Sequence, residues 1–167
     1  MASDNSHKNE WFDAFYLRHY KLVYRICRSY MSDSAEAEDC TEDVFVKVLT
    51  GDYIFNDETH EKKWLVVTAM NLCKDRLKRW WKRKVVLTDE PIFESQSDDS
   101  KTDNKAILDA INKLSPKYKD VIFLHYYMNY KTDEIAVMLH TPPSTIRNRL
   151  VKARDLLKKE IGEFEYE

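Results

Sequence analysis

The sequence predicts an all-α protein, because two observations argue against β-sheets and one argues for helices. The 167 residues include two glycines, whereas average usage of about 7% would supply about twelve. The Asn-Gly, Asp-Gly and Gly-Gly pairs that favour tight hairpins do not occur. Apolar residues instead recur every three or four positions, as on one face of a helix. We therefore expect two small helical domains joined by an acidic flexible linker.

The composition and motifs also exclude several classes of protein. Two glycines, Gly51 and Gly162, cannot supply a dinucleotide fingerprint or a P-loop. The sequence has no HExxH motif, no Cys/His spacing for zinc and no recognisable nucleophile arrangement, so we expect no enzymatic activity, no metal and no cofactor. Cys27, Cys40 and Cys73 are widely spaced, which suits a reducing cytoplasm. A polar first ten residues and short apolar runs predict a cytoplasmic protein with no membrane contact of its own.

Charge divides the chain into three parts. Residues 1–84 carry 15 basic and 14 acidic side chains, and residues 105–167 carry 11 and 9. Residues 85–104 carry one basic and six acidic side chains and lack helical periodicity. This pattern is typical of a linker, so we predict domains at 1–84 and 105–167.

Three helices are expected in the first domain. An apolar stripe from Trp11 to Cys27 predicts the first, and Asp33, which has capping-box spacing to Glu36, is expected to begin the second. Residues 50–61 lose the periodicity and predict a loop, and residues 63–84 predict a third helix. The second helix bears an acidic face opposite its apolar stripe; its residues are Glu38, Asp39, Glu42 and Asp43. Adjacent carboxylates on one helix make a poor metal cage, so this face is expected to be solvated or to bind protein.

The third helix ends in a basic segment. Residues 74–84 contain seven Lys or Arg, with Trp80 and Trp81 among them. A positive surface with interleaved aromatic rings is typical of single-stranded nucleic acid binding. The alternative is an exposed helix end whose cations favour the negative end of the helix dipole.

The second domain carries the strongest pattern, a helix-turn-helix. A short helix before Ser115-Pro116 precedes one that is expected to end near Asn129. Thr132 is expected to cap the next helix, and Ser144 the last one, after the Thr141-Pro142-Pro143 interruption.

The last helix has a polar face that could read a major groove. Helical spacing places on it Ser144, Arg147, Asn148, Val151 and Lys152. Arg149 and Arg154 are candidate phosphate contacts. The alternative is a helical hairpin with a solvated outer face.

Four stretches in this order resemble one family over nearly the whole chain. They are Glu38-Asp39-Cys40-Thr41-Glu42-Asp43-Val44-Phe45, Trp64-Leu65 through Asn71-Leu72 to Asp75-Arg76, Leu114-Ser115-Pro116, and Glu134-Ile135-Ala136 with Ser144-Thr145-Ile146-Arg147-Asn148-Arg149-Leu150. The chain resembles an extracytoplasmic-function sigma factor of bacterial RNA polymerase. The resemblance implies a promoter-melting domain, an upstream-element reader, and three partners: core polymerase, promoter DNA and an anti-sigma factor.

The resemblance also implies roles for individual residues. Asp39, Glu42 and Phe45 would dock on the polymerase, and loop 50–62 would hold a base flipped from the downstream element. The melted strand would meet Asn71, Lys74, Lys78 and Lys82. The upstream element would be read by Ser144, Thr145, Arg147, Asn148, Val151 and Lys152.

This chain departs from the family pattern at Glu42, where Gln is common, and at Ser144, where Gly is common. His140 stands where a helix-turn-helix often places Gly, and His tolerates a positive φ better than most residues. The rival interpretations are a stand-alone helix-turn-helix repressor or activator, and a partner-binding regulator that never touches DNA.

Overall fold

The computed structural model describes residues 2–87 and 102–162, without the side chains of 2–4, 81–87, 102–105 and Leu108. The chain divides into an N-terminal unit that contains α1–α3 and a C-terminal unit that contains α4–α7. No strand occurs in the described residues, which confirms the all-α prediction. No helix among them is long and apolar enough to cross a membrane.

The N-terminal unit is three long helices packed against one another, α1 (Ala2–Tyr30), α2 (Ser34–Thr50) and α3 (Glu58–Leu87). Asp33 caps α2 as predicted, since its carboxylate accepts a hydrogen bond from the Ala35 N–H at 2.9 Å. The core is aliphatic and aromatic, and the largest of its fully buried side chains are Phe15, Ile26, Phe45, Leu65 and Met70.

The third helix begins five residues earlier than the sequence predicted. The Asp57 carboxylate accepts a hydrogen bond from the His60 N–H at 2.8 Å, and its carbonyl accepts one from the Glu61 N–H. These two bonds start the helix at Glu58 without an apolar stripe, which is why periodicity missed it. The loop is accordingly residues 51–57.

Both ends of the predicted linker are helical. The third helix continues through Leu87, and α4 (Thr102–Lys113) begins before residue 105. Residues 88–101 of the predicted linker lie outside the described residues.

The C-terminal unit packs α4, α5 (Pro116–Ile122), α6 (Thr132–Met138) and α7 (Pro143–Ile161) around a small core. A π-helical turn, Phe123–Tyr127, follows α5 and was not predicted. The Met128 N–H bonds the Phe123 carbonyl at 3.1 Å, and Asn129 takes a φ of 59°, so the segment ends near Asn129 as expected.

Two predicted helix caps in this unit are wrong. Lys131 precedes α6, so Thr132 is its first residue. Pro142 precedes α7 and Pro143 occupies the first helical turn, because proline has a φ suited to that position and no N–H to satisfy. Ser144 therefore lies inside the first turn of α7.

Candidate nucleic-acid and protein interfaces

The acidic surface of α2 presents Glu38, Asp39 and Glu42 to solvent. The Tyr16 hydroxyl donates a hydrogen bond to Glu42 Oε1 at 3.0 Å. Burial, and then this bond, raises the pKa of Tyr16 to about 12, so the phenol stays a donor at neutral pH. Asp43, next along the helix, pairs with Arg76 of α3. Asp39 and Glu42 thus remain exposed at i, i+3 spacing, although Glu42 also accepts the Tyr16 bond, and Asp43 links α2 to α3.

Phe45 does not belong to this surface. Its side chain is 1% exposed. Its ring centroid lies 4.7 Å from that of Tyr16 and 6.2 Å from that of Phe15. The expected direct contact of Phe45 with a partner is therefore corrected: it is a core residue that holds α2 against α1.

Loop 51–57 forms an aromatic cluster with the start of α3. The Tyr53 ring lies 4.5 Å from Trp64, and the Phe55 ring lies 5.6 Å from Trp64, centroid to centroid. Tyr53 is 46% exposed and the adjacent Ile54 is 86% exposed. A Cβ at Gly51 would overlap the Tyr53 ring, so the close approach of the loop to the end of α2 requires glycine there. The loop therefore offers an exposed ring supported from behind by a second ring.

The α3 face predicted to meet a single strand is partly exposed among the described side chains. Asn71 and Lys78 are exposed, and Lys74 is half-buried. Trp80 is 43% exposed. Lys82 lies within α3, but its side chain is outside the described residues.

In the C-terminal unit, α6 and α7 form a helix-turn-helix with its own apolar seam, made of Ile135, Ala136, Ile146, Leu150 and Ala153. The turn carries His140 at a φ of 49°, a left-handed conformation that His tolerates better than most residues. The Thr141 N–H then bonds the Ala136 carbonyl at 3.0 Å. This turn fixes the direction in which α7 leaves α6.

The outer face of α7 has the exposure that the sequence predicted. Its exposed side chains are Ser144, Arg147, Asn148, Val151 and Lys152, while Thr145 is half-buried. A guanidinium and an amide on adjacent positions are the groups that make bidentate contacts with guanine and adenine edges. The face can therefore read base pairs in a major groove.

Of the two predicted phosphate contacts, one is engaged within the unit. Arg154 donates a hydrogen bond to the Tyr126 hydroxyl, and its guanidinium carbon lies 5.6 Å from the Tyr126 ring centroid. Arg149 is half-buried. Tyr126, on the π-helical turn, thus contacts α7 through Arg154, and no pattern in the sequence singled it out.

The structure also brings together three side chains that their spacing did not connect. Cys27, Cys40 and Cys73 come from α1, α2 and α3, and their sulfur atoms all lie within 4.8 Å of one another. Positions so far apart in sequence carry no signal of proximity, since the cluster depends on how the three helices pack.

Comparison with known proteins agrees with the division of the chain into an N-terminal and a C-terminal unit. The family model for sigma-70 region 2 matches residues 15–83, and that for sigma-70 region 4 matches residues 104–157. The chain is 28% identical to the ECF RNA polymerase sigma factor SigL of Mycobacterium tuberculosis over 158 residues, 89% of each chain. It is 25% identical to the ECF RNA polymerase sigma factor SigW of Bacillus subtilis, covering 83% of this chain and 82% of SigW.

A solved structure supports the fold. The sigma factor RpoE of Bartonella quintana, crystallised with the anti-sigma factor NepR, aligns with 90% of this chain and 96% of its own at a TM-score of 0.68. The sequence identity is 19%.

Proposed function

The chain belongs to the extracytoplasmic-function sigma factors, and we propose how its surfaces divide the work of directing RNA polymerase to promoters. In this proposal α7 reads the upstream promoter element, the N-terminal unit captures the melted downstream element, and the acidic surface of α2 docks on core polymerase. The protein acts in the cytoplasm and supplies no chemistry of its own.

The observation that supports recognition of the upstream promoter element by α7 is its exposed polar face, which lies on a separately packed helix-turn-helix. Arg147 and Asn148 point away from the seam formed by Ile146 and Leu150. Base-edge contacts specify sequence, while the lysines and arginines around them supply sequence-independent attraction to phosphates.

Downstream capture is supported by the aromatic loop and the neighbouring α3 face. The half-exposed Tyr53 ring is a platform on which an unpaired base can stack, and Asn71, Lys74 and Lys78 lie further along α3. Trapping unpaired bases lowers the free energy of the melted state, so binding alone can drive strand opening.

Docking on polymerase is tested by charge reversal. We expect Asp39→Lys with Glu42→Lys to abolish binding to core polymerase, since both carboxylates are exposed and neither belongs to the apolar core. The matched control is Glu10→Lys with Asp13→Lys, a pair with the same i, i+3 spacing and charge change on an exposed part of α1. Co-elution with purified core polymerase measures the binding, and circular dichroism checks that helicity is kept.

The comparison of the α2 variant with the α1 control distinguishes a docking contact from a general effect of charge on polymerase binding. Loss of co-elution in the α2 variant alone supports the assignment, whereas equal retention in both variants refutes it. A stand-alone repressor is the rival function, and it predicts tight promoter binding without polymerase.

We also propose an anti-sigma factor as a partner, in view of the complex formed by the RpoE structural relative.

A further inference from the structure

The three cysteines of the N-terminal unit form a cluster that no promoter or polymerase contact uses. All three side chains are 0% exposed and none is in a disulfide. The Cys40 and Cys73 sulfur atoms are 3.3 Å apart, and all three sulfurs lie within 4.8 Å of one another. One sulfur comes from each helix, so the cluster lies where α1, α2 and α3 meet.

We propose that Cys27, Cys40 and Cys73 form a three-sulfur binding site for a soft, three-coordinate metalloid ion, trivalent arsenic. The dimensions support this. Bonds of about 2.3 Å from one ion to three thiolates, at the roughly 100° angles of a pyramidal ion that keeps a lone pair, place the sulfurs roughly 3.5 Å apart. This separation lies between the 3.3 Å that separates the Cys40 and Cys73 sulfurs and the 4.8 Å limit for all three, so small side-chain shifts suffice to bind the ion.

The number of ligands selects against ions that need four. Within the described part of the chain, no fourth His, Cys, Asp or Glu joins the three sulfurs. Structural zinc is almost always four-coordinate and tetrahedral. Thiolate ligands select soft ions, and Cu(I) and trivalent arsenic represent the lowest and highest charges that we compare for such an ion.

Charge balance favours arsenic. Three thiolates on Cu(I) leave a net charge of −2 in a fully buried site, and burial of uncompensated charge is costly. Arsenous acid instead exchanges its three As–O bonds for three As–S bonds. The three thiol protons leave with the three hydroxyl groups as water, arsenic stays trivalent, and the product is uncharged.

Occupancy is expected to stabilise the N-terminal unit, because a ligand that binds the folded state but not the unfolded state shifts the equilibrium. All four tryptophans lie between residues 11 and 81, so tryptophan fluorescence reports on this unit. This inference does not depend on the proposed polymerase and promoter surfaces.

The test uses the full reduced chain with arsenous acid, incubated long enough for local opening to admit it to a buried site. Native mass spectrometry is expected to show one arsenic per chain with loss of three protons, and all three thiols are expected to resist alkylation. The midpoint of thermal unfolding, followed by tryptophan fluorescence, is expected to rise.

Variants assign the site. Cys27→Ser, Cys40→Ser and Cys73→Ser are each expected to weaken arsenic binding at least tenfold. Thr41→Val is the matched control, because this buried residue neighbours Cys27 but leaves all three sulfurs in place. If a serine variant does not fold, the unsubstituted protein still tests the proposal. Its native chain is expected to bind arsenous acid at least tenfold more tightly than the same chain unfolded in urea.

Three results would overturn the proposal. Equal affinity of native and unfolded chains would mean that the fold builds no site. Unchanged affinity in all three serine variants would place the ion elsewhere. Binding of Cu(I) without binding of arsenous acid would refute the charge argument and the assignment to a trivalent metalloid.

Discussion

Glu61 carries a nearly buried carboxylate that links α3 to α1. Its Oε2 lies 2.7 Å from His19 Nε2 and 3.0 Å from Arg18 Nη2. Burial opposes the charge, but the bonds from His19 and Arg18 outweigh it and hold the pKa of Glu61 below its usual value. This residue therefore converts acidification into a loss of stability.

We expect Glu61→Gln to lower the free energy of unfolding at pH 7 by roughly 1.5–3 kcal/mol, the contribution of a hydrogen bond to a charged group. The folded-state pKa is lowered, so the stabilisation is complete above the unfolded value of about 4.3 and disappears as pH falls through the folded value. The deficit of the variant is therefore expected to shrink in acid. Urea unfolding followed by tryptophan fluorescence measures it.

Glu58→Gln provides the control for Glu61. Glu58 pairs with Lys62 at 3.5 Å on the surface of the same helix. Exposed pairs of this kind contribute about 0.3–0.5 kcal/mol, so its effect is expected to be small. Equal deficits for the two variants, or a Glu61→Gln deficit independent of pH, would contradict the ion-pair account.

Arg147 tests base reading by a single side chain. Arg147→Ala is expected to weaken binding of the preferred promoter by about 1–3 kcal/mol and to relax preference at one base pair, if its contact is bidentate to a base. Arg149→Ala, a predicted phosphate contact, is expected to weaken all sequences alike. Binding to a set of single-base promoter variants distinguishes the two, and a uniform loss for Arg147→Ala would make it a phosphate contact.

At the scale of elements, the sequence predicted which segments are helical better than where they begin. Apolar periodicity identified the helices, and the tolerance of His for positive φ agrees with the conformation of His140. The caps Thr132 and Ser144 were misplaced, because backbone dihedrals around Lys131 and Pro142 decide those starts. The π-helical turn left no trace in the pattern, since one extra residue in a turn shifts the periodicity only locally.

The candidate site residues that follow from a local pattern were predictable, and those that depend on helix packing were not. The exposed face of α7 follows from helical spacing alone, so it was predictable. Phe45 was placed at an interface by resemblance, although its position in the apolar stripe of α2 already indicated burial. The cysteine cluster was not predictable, because it depends on the packing of three helices rather than on any local pattern.

The turn between α6 and α7 provides a prediction at this scale. His140 is exposed and holds a φ of 49°, a conformation that glycine adopts without steric cost. His140→Gly is expected to raise the stability of the C-terminal unit by up to about 1 kcal/mol, and the β-branched His140→Val to lower it. Hydrogen exchange of the α6 and α7 amides measures both, and a stabilising valine would contradict the backbone argument.

At the scale of the whole molecule, each unit has its own apolar core. Phe15 and Phe45 anchor the N-terminal unit, and Ile135 and Ile146 anchor the C-terminal unit. Duplex reading and strand capture are therefore proposed to rest on separately folded parts. Substitutions on the surface of one unit are expected to leave the stability and binding of the other intact.

Strand capture is tested with the triple variant Lys74→Ala, Lys78→Ala and Lys82→Ala in complex with core polymerase. Each lost phosphate contact is expected to flatten the salt dependence of strand binding by roughly 0.7 in log K per log salt. Asn71→Ala is expected to weaken open-complex formation without changing this slope, because an amide releases no counterions. Permanganate reactivity of unpaired thymines, compared between an intact duplex and a pre-melted template, measures opening.

The control for strand capture is Lys8→Ala, Lys21→Ala and Lys47→Ala, which removes the same charge from exposed positions on α1 and α2. Its opening is expected to match that of the parent, while the α3 triple variant opens the intact duplex poorly and is partly rescued by the pre-melted template. Rescue is expected because the pre-melted template needs no strand opening, so the remaining defect is weaker binding of the unpaired strand. Normal opening by the α3 variant would make that face a solvated helix end and favour the stand-alone repressor.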